Sequence, residues 1–379
     1  MSRFRLLRAV GLPPQQRHSS PIHRACLRLL LTALVALMLA TPTLAAGKPK
    51  PPAQPADGPG GSNYKHAVVK KAVFGEGDLQ YWLYEPAEPT PESGPLVVFN
   101  HGWGGINPLI YGAWIEHIVR RGNVVVFPRY QANLATSPRK FAQNASQAVK
   151  DAVGKLKEEG HVKPDLEKFA IVGHSAGGQT TANMAALAAS LGLPEPKAIM
   201  CVQPGKSWGP SNRLGVPLED LEKIPAGVLL LTVVGDRDTI VGDGDAKKIF
   251  KGAKQVPPEN KAFVVLVSDD HGEPALEATH FAPCAANKAY DSGDVLLGSG
   301  RFDDAPRDTK DDSKDMELAA RTVDALDHYA LWKLFDGLCD AAFKGENRKY
   351  ALGDTEEQRF MGKWSDDTPV KELVIKKEP

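Results

Sequence analysis

Phe169 to Met184 reads FAIVGHSAGGQTTANM, and this stretch decides the fold. Phe169, Ile171 and Val172 form a short apolar run of strand type, and the small-residue segment that continues to Ala189 suits a buried helix. Between them Gly173-His-Ser-Ala-Gly177 fits G-x-S-x-G, the pattern of a tight strand-to-helix turn with Ser175 at its apex. Glycine is expected on both flanks, because the serine of such a turn has a strained backbone and a side chain beside it would strike the neighbouring strand or helix. The pentapeptide is loose as a pattern, so its weight comes from the strand before it and the helix after it.

The segments around it alternate. Strands are predicted at Leu79–Tyr84, Leu96–Phe99, Val124–Phe127, Ala198–Val202, Val228–Val234 and Phe263–Val267, and helices over Tyr111–Arg121 and Ser137–Glu159. Near-continuous Val, Ile and Leu runs indicate strands covered on both faces of a mostly parallel sheet. The fold class is therefore α/β, a single domain over residues 63–345 with helices on both faces of the sheet. A charged insertion is expected at about 287–314. A long helix over Asp315–Phe343, with Leu318, Val323, Leu326, Tyr329, Ala330, Leu334 and Leu338 as its buried stripe, should cover the sheet, and 346–379 forms a C-terminal tail.

Residues 1–46 have the layout of a secretory signal peptide. Arg24 and Arg28 precede the apolar run from Leu29 to Ala40, and small residues follow at Ala45 and Ala46. The alternative is an N-terminal membrane anchor, against which the run falls short of the roughly 20 residues a span needs. Residues 47–62, rich in Pro and Gly, are expected to be an extended, mobile linker. Downstream of the leader stand Cys201, Cys284 and Cys339, and in an oxidising compartment Cys284 and Cys339 are the candidates for a bridge.

With 46 Lys and Arg against 46 Asp and Glu, the net charge is zero, which gives no support to a nucleic-acid partner. No metal-ligand spacing or phosphate loop occurs, so neither metal nor cofactor is expected.

A serine hydroxyl needs a base within hydrogen-bond reach and a third group to orient that base. On a parallel sheet these come from later strands in the order serine, acid, histidine. Gly235-Asp-Arg-Asp-Thr-Ile-Val241 follows a predicted strand and offers Asp236 and Asp238. Asp238 is preferred because it lies deeper in the turn. Asp236 is the alternative, with a loop-capping role if it is not the acid. Two histidines follow the next strand. His280, in Ala278-Thr-His-Phe-Ala-Pro283, is preferred as base over His271, which sits among carboxylates and glycine. Two N–H donors should face the developing oxyanion. Ala176 supplies one, and the loop Asn100-His-Gly-Trp-Gly-Gly105 supplies the other through Trp103, whose ring is either a wall of the acyl site or a core aromatic.

HGWGG, GHSAGG, GDRDTIV and ATHFAP occur in an order and spacing that resembles the α/β-hydrolase superfamily. The chain looks most like the secreted branch of bacterial cutinases, polyester hydrolases and related lipases, with chlorophyllase-like and dienelactone-hydrolase-like proteins more distant. The resemblance implies a carboxylic ester hydrolase without a cofactor, using Ser175, His280 and Asp238, with a small or polymeric ester as substrate. Ala176 departs from the methionine often found there in that branch. A peptidase or acyltransferase would use the same three residues, and a catalytically silent binding protein is the alternative from another class.

Overall fold

The computed structural model describes residues 47–207, 215–294 and 322–379. The signal-peptide expectation, most of the charged insertion and the first part of the expected C-terminal helix lie outside the described residues. Lys48–Pro379 forms one compact unit.

Among the described residues, nine strands make one sheet: β1 (Val68–Phe74), β2 (Tyr81–Ala87), β3 (Ser93–Asn100), β4 (Val124–Pro128), β5 (Lys163–His174), β6 (Ala198–Val202), β7 (Leu229–Gly235), β8 (Lys261–Leu266) and β9 (Val374–Lys376). Their order is β1-β2-β4-β3-β5-β6-β7-β8-β9. From β4 to β8 all neighbours run parallel, while β1, β2 and β9 join antiparallel at the edges. The chain has the α/β-hydrolase fold.

Strand periodicity explains why both faces are dry. On β3, Val97 and Phe99 enter one apolar cluster and Leu96 and Val98 the other. On β5, Ala170 and Val172 alternate with Phe169 and Ile171 in the same way. The first cluster is closed by α1 (Gly112–Arg120), which contributes Trp114, Ile115 and Ile118, and by the C-terminal helix described below. The second is closed by α2 (Phe141–Lys155) and α3 (Ala176–Leu191), while α4 (Gly244–Gly252) adds Ile249. A continuous apolar strand thus marks a two-sided burial, as expected for a parallel sheet.

Three expectations need correction. The Pro/Gly segment at 47–62 is packed against the domain and is no free linker. The Gly60 N–H donates to Asp336 Oδ2 at 2.7 Å, the Lys50 N–H donates to Ser365 Oγ while the Ser365 N–H donates to the Lys50 carbonyl, and the Glu273 N–H reaches the Pro49 carbonyl. Such a sequence cannot build a core, but it can run over one as a strap when other elements satisfy its backbone groups. The C-terminal helix is irregular at its start: after a π turn over Asp327–Leu331 it becomes α5 (Trp332–Lys344), and Val323 is exposed instead of buried. No disulfide joins Cys284 to Cys339; each is buried in the first apolar cluster and fills it as a small hydrophobe. The edge strands β1 and β9 carry no continuous apolar run, since each has only one partner and Val68, Val73 and Val374 remain exposed.

The tail folds as well. After the short helix α6 (Glu356–Arg359) it buries Trp364 and Leu373 and ends as β9 against β8.

Candidate active site

Ser175 stands where β5 ends and α3 begins, with φ 56° and ψ −124°. This is a sparsely populated region for a residue with a side chain. The turn is held by the Ser175 N–H donating to the Val202 carbonyl at 3.0 Å and by its own carbonyl accepting from the Gly178 and Gly205 N–H groups. The flanking glycines have separate steric reasons. A Cβ on Gly173 would collide with the Gly177 carbonyl, and one on Gly177 would collide with the carbonyls of Asn100 and His101.

The carboxyl ends of β7 and β8 bring two further side chains to the serine. His280 Nε2 lies 3.0 Å from Ser175 Oγ, and His280 Nδ1 lies 2.8 Å from Asp238 Oδ2. The other oxygen, Asp238 Oδ1, accepts the N–H groups of Ile240 and Val241, each at 3.0 Å. Burial by itself raises the Asp238 carboxyl, but the hydrogen bond and charge of His280 and the Val241 N–H outweigh it and leave the group below the ordinary carboxylate range. A carboxylate there makes His280 Nδ1 the protonated nitrogen, so Nε2 has a lone pair for the serine proton. Such a line can move a proton off a hydroxyl as it attacks and return it to a leaving group.

The alternative residues lie elsewhere. Asp236 accepts the N–H and the hydroxyl of Ser268, which ties the loop after β7 to the loop after β8. His271 pairs with Asp366 of the C-terminal segment at 2.8 Å and is partly exposed.

In the loop after β3 most backbone donors are engaged. Gly102 N–H donates to Tyr111 Oη at 3.0 Å, Gly104 N–H to Gln131 Oε1 at 2.8 Å, and Gly105 N–H to the Gly102 carbonyl at 3.0 Å. The Trp103 N–H has no hydrogen-bond partner among the described residues, and neither has the Ala176 N–H at the first position of α3. An N–H free at a helix start is suited to an anion. The Trp103 ring packs on Phe141 with centroids 5.6 Å apart, against the second apolar cluster.

Sequence reasoning missed several supports. His174, inside the pentapeptide, places Nδ1 2.9 Å from Tyr111 Oη and Nε2 2.8 Å from the His280 carbonyl oxygen. Gln203, at φ 43°, donates to the Thr279 carbonyl at 2.7 Å and steadies the segment that carries His280. No sequence pattern distinguishes such groups, because their role depends on what faces them.

Among the described residues no group of His, Cys, Asp and Glu is arranged to hold a metal ion, and no helix is long and apolar enough to cross a membrane. A cleft of about 400 Å³ between Val153, Leu166, Leu193 and Pro194 lies at the amino end of β6, the opposite end of the strands from Ser175. Its lining has no nucleophile beside a base, so the chemistry belongs to the Ser175 end.

The sheet order and the elbow define an α/β hydrolase. A family model described as Chlorophyllase matches residues 86–215, less than half of the chain, and this match places the protein in general among the α/β hydrolases that act on esters. The chlorophyllase-like branch was the more distant of those suggested by the sequence motifs. The matched segment includes Trp103, Ser175 and Ala176 and ends before Asp238 and His280. The sequence has no significant match among curated proteins.

Proposed function

We propose that the protein is a serine esterase that cleaves carboxylic esters through an acyl-enzyme. Ser175 Oγ attacks the ester carbonyl while His280 Nε2 takes its proton. The Trp103 and Ala176 N–H groups receive the oxyanion, and His280 passes the proton to the departing alcohol. Water then attacks the acyl carbon as His280 takes its proton, and His280 returns that proton to Ser175 Oγ as the bond from Oγ to the acyl carbon breaks and the acid leaves. Asp238 holds the tautomer and stabilises the imidazolium formed in each half.

The observation that carries this reading is the unbroken line Ser175–His280–Asp238 at 3.0 and 2.8 Å, on the serine of a strained elbow. It supports the mechanism because three side chains far apart in the sequence, from the loops after β5, β7 and β8, converge in the order that proton transfer from a serine requires. Hydrolysis of p-nitrophenyl butyrate by the wild type and by Ser175→Ala tests it. Activity should be lost while the thermal unfolding midpoint is kept, and substantial turnover by the variant would refute the mechanism.

The leader, Arg24 and Arg28 followed by the apolar run to Ala40 and by Ala45 and Ala46, supports export. Intact mass of the protein recovered outside the cytoplasm should begin near residue 46 or 47. A full-length chain held in the membrane fraction would point to an anchor instead.

A further inference from the structure

From the loop after β3 to the His280 carbonyl, past Ser175, runs a chain of hydrogen bonds that the proposed mechanism does not use. We propose that Tyr111 and His174 are positioning residues, which hold the Trp103 amide and His280 at a fixed separation across Ser175. This rests on reading Ser175 as the nucleophile.

The direction of the chain follows from its donors. The Gly102 N–H can only donate, so Tyr111 Oη accepts it at 3.0 Å. The tyrosine hydrogen is then available to His174 Nδ1 at 2.9 Å, which makes Nδ1 the acceptor and Nε2 the protonated nitrogen. Nε2–H donates to the His280 carbonyl at 2.8 Å. Every member is satisfied when His174 is neutral and in this one tautomer. Burial, with the neighbouring His280 charge, pushes His174 down to about 3, in keeping with that state. Neutrality also suits the reaction, because the His174 and His280 ring centroids are 4.8 Å apart and a second cation there would oppose the imidazolium.

The chain fastens the backbone N–H of Gly102, the residue before Trp103, to the backbone carbonyl of His280 through the ring of His174, the residue before Ser175. Gly102, Tyr111, His174 and Ser175 are in close contact, since a Cβ on Gly102 would stand 3.2 Å from Tyr111 Oη, 3.4 Å from Ser175 Cβ and 3.5 Å from His174 Nδ1. Tyr111 and His174 are both buried and do not offer a surface to substrate. Their effect is therefore on the geometry of the reacting groups, and it falls on kcat more than on KM.

Tyr111→Phe, His174→Gln, His174→Phe and the Tyr111→Phe/His174→Gln pair test this, with Ser175→Ala measured beside them. Each single variant should lower kcat for p-nitrophenyl butyrate by roughly 10- to 100-fold, the scale of a misplacement on the order of 1 Å, with KM changed by less than about threefold. His174→Gln, whose amide can still donate to the His280 carbonyl, should retain more activity than His174→Phe. The pair should be no slower than the slower single, because the bonds act in series. A Tyr111→Phe or His174→Gln enzyme within about twofold of wild-type kcat, or losses that multiply in the pair, would overturn the positioning role. Turnover surviving in Ser175→Ala would instead overturn the nucleophile reading on which it rests.

Discussion

His280 and Asp238 meet through a single 2.8 Å contact, and the second oxygen of that carboxylate is fixed by the Ile240 and Val241 N–H groups. The acid is thus anchored by its own turn and has one free direction, toward the imidazole. Asp238→Asn keeps the shape but offers an amide whose hydrogens favour the wrong tautomer of His280. We expect kcat for p-nitrophenyl butyrate to fall by about 10³- to 10⁴-fold with little change in the unfolding midpoint. A loss below about tenfold would assign the orienting role to another group.

Gly205 borders the Ala176 N–H. A Cβ there would lie 3.4 Å from that nitrogen and 2.9 Å from Gln179 Oε1, a side-chain atom and not backbone, on an amide whose nitrogen donates to the Val216 carbonyl and to Asp245. Gly205→Ala should therefore fold, but should crowd the oxyanion and lower kcat by about tenfold, a fraction of what deleting a donor costs. Unchanged kcat would place the oxyanion away from Ala176.

Gly177→Ala has a different outcome, since its Cβ would strike the Asn100 and His101 carbonyls, backbone groups that cannot turn aside. We expect a loss of about 3 kcal/mol or more, or no soluble protein. Denaturant unfolding of this variant checks it, and near-wild-type stability would contradict the observed packing of the elbow under β3.

The strap over α5 gives a stability prediction. Asp336 is buried against His117 at 2.8 Å, Arg121 at 3.2 Å and the Gly60 N–H at 2.7 Å. Burial raises its carboxyl, but His117, Arg121 and these bonds bring it below the ordinary range. A carboxylate lowered on folding stabilises above its unfolded value, about 3.9, and that contribution is lost as pH falls through the lower folded value. Asp336→Ala should cost about 3 kcal/mol near pH 7, where the charge is fully formed, and should flatten the acid side of the stability profile. Tm measured from pH 7 to pH 3 reads both, and parallel wild-type and variant curves would contradict the assignment.

The fold was legible because its central strands are buried on both faces, so Leu96–Phe99, Val124–Phe127 and Phe169–Val172 are continuous apolar runs. Strands with one covered face or one partner, β1 and β9, leave no such trace. In the candidate site, Ser175, Asp238 and His280 announce themselves by chain order and by turns at strand ends, and the structure brings the three together. In the sequence Tyr111 marks only the start of a helix, and its hydroxyl acquires meaning from Gly102 and His174, which sequence distance hides. The strap at 47–62 has the composition of a mobile linker, because composition records that a segment cannot make a core, not that another element can hold it.

The proposed mechanism requires that Ser175 become covalently acylated. A fluorophosphonate, which forms a stable adduct only with an activated serine, tests it most directly when followed by intact and peptide mass spectrometry. Stoichiometric phosphonylation should map to Ser175, abolish ester turnover and be absent from Ser175→Ala. Ester turnover that persists in the treated enzyme without an adduct, or an adduct mapping to another residue, would contradict it.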